Sequence, residues 1–259
     1  MRILLSNDDG VLAPGLAALY AAVADMGQVT VVAPASPQSA SGHSITLRQA
    51  LVTQKMHIEG PRPFAATSVD GRPADCVRLA IRKLMDSPPD LVLSGINAGS
   101  NLGINVLYSG TVAAAAEGAM LCIPSVAFSA SLAGDAMDFS RVAYWCRWTL
   151  DQLLEHGLRG GDLMNVNIPP LTAGRPLGVR LVTQSVAELD DNYMLEVDAS
   201  GRNTYRLSDT YGFRHGQIHA DVPSLADGYI TITPLHVDMT SHSRLAELSK
   251  RFWAEIPRR

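Results

Sequence analysis

The sequence has no apolar run near the roughly 18 residues that cross a bilayer. Its longest stretch of small apolar residues, TVAAAAEGAMLC from Thr111, is broken by Glu117 and Gly118. The start, MRILLSNDDG, enters a strand at once and shows no secretory apolar region or cleavage site. Membrane insertion is therefore not expected, and the cytoplasm is the expected location. Cysteine is scarce: Cys76, Cys122 and Cys146 are widely spaced, without redox or zinc-site spacing, and read as buried free thiols. Charge is sparse too, at 18% of 259 residues with a net charge of −4. No basic stripe is present, so long DNA or RNA is not an expected partner. A small anionic substrate stays open, because one bound metal ion can reverse a local field. The phosphate-loop pattern GxxxxGK[ST], the dinucleotide pattern GxGxxG and the zinc pattern HExxH are all missing, as are internal repeats.

What is present is an alternation of short apolar runs and helical spacing over the first two-thirds of the chain. Strands are predicted over Arg2–Ser6, Val29–Ala33, Ala65–Val69, Leu91–Ser94 and PSVAFS. Helices are predicted over GLAALYAAVADMG, Ala74–Met85, from near Thr111, and Phe139–His156, with an extended segment running to Val52. Continuous apolar strands separated by helices imply a parallel sheet buried on both faces, an α/β architecture. Beyond about Arg159 the texture changes: MNVNIP, LGVRLVTQ, YMLEVD and YITITPL read as strands, with a helix from Ser241 to Phe252. The expectation is one domain over 1–259, with an α/β core at 1–159 and a β-rich arm with a terminal helix at 160–259. Such an arm presents strand edges that invite pairing with another subunit.

Ligands of parallel sheets bind beyond the carboxyl ends of the strands, so the loops after strands are where chemistry is expected. Asp8 and Asp9 follow the first strand and offer two carboxylates to a hard cation, although Asp-Asp-Gly also reads as a simple turn with a helix cap. Ser39 and Ser41, with His43 nearby, occupy the loop after the second strand; a serine hydroxyl there is a neutral oxygen ligand. Residues 95–111, GINAGSNLGINVLYSGT, form a long Gly/Asn-rich connection into a helix. Asn97 offers a carbonyl oxygen, and Ser109, Gly110 and Thr111 stand at the helix N-terminus, where free N–H groups and the dipole favour phosphate; helix capping alone also accounts for Ser109 or Thr111. An all-oxygen set suits Mg²⁺, Mn²⁺ or Ca²⁺ better than Zn²⁺.

Taken together, MRILLSNDDGVLAPG, APASPQSASGHSITL, SVDGRPADCV, LVLSGINAGSNLG, YSGTVAAAAEG, NVNIP and GYITITPL resemble the survival protein SurE family of 5′/3′-nucleotidases, in order from Met1 to about Asp238. The resemblance implies a three-layer α/β/α Rossmann-like core with a C-terminal arm that helps form a homodimer or homotetramer. It implies one divalent metal on Asp8, Asp9, Ser39 and Asn97, and a substrate phosphate near Asn101, Ser109, Gly110 and Thr111. It also implies hydrolysis of nucleoside 5′- and 3′-monophosphates, with short polyphosphate as a further substrate. On this reading water activated at the metal attacks phosphorus, with Asp8 orienting or deprotonating it. His43, His215 and His219 are the candidates to protonate the leaving alcohol, and Tyr193, Tyr205 and Tyr211 are candidates to stack on a base. Two departures stand out: Ala35 where many members have Asp, and His219-Ala220-Asp221 where Thr-Asp is common. A nucleotide- or metal-sensing protein without turnover, or a phosphatase for sugar phosphates, would use the same loops.

Overall fold

The computed structural model describes the chain apart from residues 133–136, 187–188, 191, 208–211, 214–218 and 251–259. His215, Tyr211 and the end of the predicted terminal helix fall outside the described residues. In chain order the elements begin with β1 (Arg2–Ser6), α1 (Pro14–Val23), β2 (Gln28–Pro34), β3 (Thr53–Ile58), β4 (Phe64–Val69) and α2 (Pro73–Leu79). They continue with β5 (Leu91–Ala98), α3 (Gly110–Met120), β6 (Ser125–Ala130), α4 (Phe139–Glu155) and β7 (Leu163–Ile168). The remainder comprises β8 (Val179–Leu181), β9 (Leu189–Asp190), β10 (Tyr193–Val197), β11 (Asn203–Leu207), β12 (Gly212–Phe213), α5 (Asp221–Ala226), β13 (Ile230–Leu235) and α6 (His242–Leu248).

Nine strands form one sheet in the order β3-β4-β2-β1-β5-β6-β7-β13-β8. The six from β4 to β7 are mutually parallel, β3 is antiparallel at one edge, and β13 is antiparallel to β7. β1 shows why a short apolar run suffices for a central strand. Ile3 and Leu5 face one layer with α1 and α4, while Leu4 faces the other with α2, and all three are fully buried. α3 lies on the α2 side, against β5, β6 and β7. This is the expected three-layer α/β/α arrangement.

The order of strands reverses between β1 and β5: the chain moves outward from β1 to β2 and β4, then returns to the far side of β1. The loops after β1 and β5 therefore open into one crevice, where a parallel sheet binds its ligands. β5 runs four residues past the predicted Ser94, with its register shifted between Ser94 and Asn97. That irregularity carries Asn97 to the rim of the crevice.

Three elements differ from expectation. β3 was not predicted; its sequence TQKMHI is mostly exposed along an edge and has no apolar run. The predicted helix over Ala74–Met85 is α2 followed by a wider, π-type turn over Ala80–Leu84. The sheet does not end at residue 159, since β7, β8 and β13 extend it. The strands beyond 160 that stand apart are the β10–β11 hairpin and the short β9–β12 pair. Among the described residues, no helix is long and apolar enough to cross a membrane.

Candidate active site

Asp8 leaves β1 at its carboxyl end and is buried, at 6% exposure. Its position is set from three sides. The Thr111 hydroxyl donates to Asp8 Oδ1 at 2.5 Å. The Gln38 N–H donates to the Asp8 carbonyl at 2.8 Å, which ties the β2 loop to the β1 loop. Gly110 approaches so closely that a methyl group added there would lie 2.7 Å from Asp8 Cβ and 3.0 Å from Oδ2. Any side chain at 110 would push the helix away from the carboxylate. The turn itself closes through Gly10, whose φ of +98° favours glycine, and the Asn7 side chain donates to the Gly10 carbonyl at 2.9 Å.

Burial raises the Asp8 carboxyl to about 6, although the Thr111 hydroxyl and backbone favour the charged form; the neighbouring Asp9 charge pushes in the same direction as burial. Asp9 is also raised by burial, partly offset by the Ala98 N–H, which donates to its Oδ2 at 3.4 Å. No cationic side chain of the described residues offsets either charge. Two adjacent, desolvated carboxylates without a cation fit a metal ion, whose charge would remove the cause of both shifts. The remaining donors suit a hard cation. Asn97 Nδ2 donates to the Gly99 carbonyl at 2.6 Å, leaving Oδ1 as the acceptor of that carboxamide. Ser39 is exposed, one residue beyond Gln38, in the loop tied to Asp8. Among the described residues no group of three or more His, Cys, Asp or Glu side chains is placed to hold a metal. A site here rests on two carboxylates plus neutral oxygens, a set for Mg²⁺, Mn²⁺ or Ca²⁺.

The phosphate candidates divide by what their side chains do. Ser109 caps α3, its Oγ accepting from the Val112 N–H at 3.1 Å, which leaves its own hydrogen to donate elsewhere. The Thr111 side chain is committed to Asp8. Gly110 contributes close approach. Asn101 sits in a cage: its N–H donates to Asn167 Oδ1 at 2.8 Å and its Nδ2 to Ser129 Oγ at 2.8 Å. The Asn165 and Asn167 carboxamides donate to its carbonyl at 2.8 and 3.1 Å. Its bonds fix the β5 loop to β6 and β7.

The candidate general acids separate as well. His43 binds the buried Glu117 of α3 through Nε2, at 2.9 Å. His219 is an exposed turn residue beside Ala220, which bridges to Thr183. Tyr193 and Tyr205 are exposed on the β10–β11 hairpin.

Several residues that organise the site are given no role there by the sequence. Asp75 accepts from the Thr46 N–H and hydroxyl and from the Arg72 N–H, anchoring the far end of the β2–β3 loop. Arg72 in turn donates to Gln38 Oε1. Asp221 accepts from the N–H groups of Gly103, Ser185 and Val222. Glu117 joins His43 to Arg78, the latter at 3.6 Å. Each is a carboxylate beside a turn or inside a helix, where a solvated or capping role is the ordinary reading.

A family model described as Survival protein SurE matches residues 3–191. A protein named 5′-nucleotidase SurE from Syntrophobacter fumaroxidans is 41% identical over 250 residues, spanning 96% of this chain and 99% of its own. One named 5′-nucleotidase SurE 1 from Thermus thermophilus is 42% identical over 249 residues, with 96% and 97% covered. The crystal structure of the SurE protein from Aquifex aeolicus superposes with a TM-score of 0.82 at 36% identity, covering 96% of this chain and 98% of that one.

Proposed function

The chain belongs to the survival protein SurE family, and from that premise we propose that it is a metal-dependent 5′-nucleotidase of the cytoplasm, cleaving nucleoside monophosphates to nucleoside and phosphate. Nucleoside 3′-monophosphates and short polyphosphate are further substrates of the same site. The observation that carries this reading is the contact of Asp8 with Thr111 and Gly110: a buried carboxylate seated against the N-terminus of a helix at the switch point of the sheet.

Asp8, Asp9, Ser39 and Asn97 would hold one divalent ion, Mg²⁺ or Mn²⁺ with Ca²⁺ as another occupant, which supplies charge against the phosphoryl oxygens and acidifies the attacking water. Asp8 accepts the proton of that water as its oxygen bonds to phosphorus and the ester P–O bond breaks. The N–H groups at the start of α3 and the Ser109 hydroxyl hold phosphoryl oxygens, as fixed donors do in phosphoryl transfer. Thr111 keeps the Asp8 carboxylate in line, and the Asn101 cage keeps the β5 loop in place around it. The departing alkoxide takes a proton from solvent or from a nearby imidazole.

The arm has a part in assembly on the same reading. On β10 and β11, Tyr193 faces Leu207 and Leu195 faces Tyr205, and with Val197 these five side chains share one exposed apolar face. A two-stranded ribbon with a bare apolar face is marginal in water alone. A homodimer or homotetramer covers it.

The test is phosphate release from a panel of nucleoside 5′- and 3′-monophosphates, in EDTA and then with Mg²⁺ or Mn²⁺ restored, beside Asp9→Ala. Release restored by metal and absent in the variant is the expected result. Saturable nucleotide binding without release would overturn catalysis in favour of a sensor.

A further inference from the structure

The loop that carries Ser39 is fastened at both ends. At its start the Gln38 N–H binds the Asp8 carbonyl at 2.8 Å. At its far end the Gly42 N–H binds the Tyr108 carbonyl at 2.9 Å, and His43 Nε2 binds Glu117 Oε1 at 2.9 Å. A carboxylate oxygen only accepts, so Nε2 carries the hydrogen of this bond. Ser39, Ala40 and Ser41 hang between these two fastenings.

Glu117 is an unusual residue for its place. It lies in the third turn of α3, after Ala113–Ala116 and before Gly118, and its side chain is only 7% exposed. Burying a carboxylate is costly unless it is paired and hydrogen-bonded. An alanine there would continue the small-residue face of the helix without that cost. What the carboxylate gains is one short bond, to His43 of the exposed site loop, and one looser contact at 3.6 Å to the half-exposed Arg78 of α2. The short contact is with the site loop.

We propose that Glu117 is a positioning residue for the metal centre: through His43 it locks the 38–43 loop onto α3 and so sets the Ser39 hydroxyl relative to Asp8 and Asp9. The same helix then places two ligand positions at once, Asp8 through Thr111 at its first turn and Ser39 through Glu117 at its third. This also gives His43 a part other than proton donation, since its Nε2 is engaged within the fold. The inference rests on the metal-centre reading above, and the experiment separates the two.

Two measurements on the full-length protein test it. Hydrogen exchange by mass spectrometry reads the amides of Gln38, Ser41 and Gly42, and Mn²⁺ titration followed by electron paramagnetic resonance reads ion affinity. The proteins are the wild type, Glu117→Ala, Glu117→Gln, His43→Ala, Ser39→Ala, Arg78→Ala and Asp9→Ala. Glu117→Ala and His43→Ala are expected to speed exchange over 38–43 by about tenfold or more. They should weaken Mn²⁺ by about as much as Ser39→Ala, roughly 10-fold or more. Adding Ser39→Ala to Glu117→Ala should weaken it little further, because both act on one ligand. Glu117→Gln, which keeps an acceptor oxygen for His43, should restore most of both. Arg78→Ala removes the other partner of Glu117 and should leave the loop protected. Unchanged exchange in Glu117→Ala overturns the proposal whatever the metal does, and faster exchange with wild-type Mn²⁺ affinity overturns it equally. If Glu117→Ala does not fold, His43→Ala decides by the same two readings. Equal Mn²⁺ binding by wild type and Asp9→Ala would sink the metal-centre reading, and the link to Ser39 with it, leaving a loop anchor visible by exchange alone.

Discussion

Thr111, the second residue of α3, gives its hydroxyl hydrogen to Oδ1 of Asp8, 103 positions earlier in the chain. A helix start and a strand end are thereby joined at the point where the sheet reverses its strand order, and the bond fixes one oxygen of the carboxylate. Thr111→Val keeps the shape of the side chain and removes the bond. Turnover is expected to fall roughly 10²-fold with a smaller change in KM, and Thr111→Ser should recover most of it. Steady-state kinetics on the preferred nucleotide check this; unchanged turnover in the valine variant would remove Thr111 from the mechanism.

Asp8 also carries a stability cost that a bound metal ion would relieve. Its carboxyl is raised from 3.8 to about 6, chiefly by burial. A raised carboxyl means the folded state binds its proton more tightly than the unfolded state does. Stability of the metal-free protein therefore falls as pH rises from about 4 through about 6, and the penalty is complete above that. Asp8→Asn keeps an acceptor for Thr111 and carries no charge. In EDTA at pH 8 this variant is expected to be more stable than the wild type, by on the order of 3 kcal/mol at most, with little difference at pH 4.5. Saturating Mn²⁺ should reverse the order, since it stabilises the wild type alone. Thermal melts at the two pH values, with and without the ion, decide it.

Much of this arrangement was legible in the sequence, and the parts that were not share a cause. β1, β2 and β5 announce themselves because strands buried on both faces are continuous apolar runs, and the candidate ligand loops follow from their ends. β7 and β13 were legible as strands but not as members of the main sheet. Their alternation of Asn165, Asn167, Thr231 and Thr233 with apolar residues reads as a half-exposed ribbon, yet all four are buried. Asn165 spends its amide nitrogen and Asn167 both its polar atoms on Asn101, a contact across 60-odd residues that no local pattern encodes. Glu117 appeared only as an interruption of an apolar run, because the histidine that explains it lies 74 residues away. Local periodicity reports which face is apolar; it is silent on which polar groups are buried together.

Gly110→Ala tests how tightly helix and carboxylate fit. The added methyl would lie 2.7 Å from Asp8 Cβ and 3.1 Å from the Pro73 ring, so backbone or Asp8 must move. The substitution suits a helix by propensity, and the protein should still fold. Turnover should fall at least roughly 10²-fold, because displacement of a reacting group by about 1 Å costs that much. Wild-type kinetics with an unchanged melting temperature would show that the contact relaxes harmlessly.

The exposed face of the β10–β11 hairpin predicts a dependence of assembly on apolar area. Leu195 and Tyr205 are directly paired at its centre. Leu195→Glu combined with Tyr205→Glu places two like charges opposite each other in the surface a second subunit would cover. Sedimentation is expected to show a smaller species, with the circular dichroism of the core unchanged. An unaltered sedimentation coefficient would move the subunit contact elsewhere on the chain.

Asp221 offers a test of how far the site depends on the C-terminal half. Its Oδ2 accepts from the Gly103 N–H at 2.8 Å, its Oδ1 from the Ser185 N–H at 2.9 Å, and it is fully buried at the start of α5. Gln184 adds a bond from its Nε2 to the Gly103 carbonyl, so both backbone groups of Gly103 are held from beyond residue 180. The residues from Gly99 to Ser109, which lead into the N-terminus of α3, are thus suspended between the Asn101 cage and this carboxylate. Asp221→Ala would leave those N–H groups buried without acceptors, at a cost of about 3 kcal/mol, and would slacken the approach to Ser109 and Gly110. Asp221→Asn keeps one acceptor oxygen and should lose less. The distinctive expectation is in kinetics: KM for the nucleotide should rise severalfold in both variants at temperatures well below their melting points, while Mn²⁺ affinity stays near that of the wild type. A loss of stability with unchanged KM would mean that the loop holds its shape without Asp221, and that the Asn101 cage alone positions the phosphate side of the site.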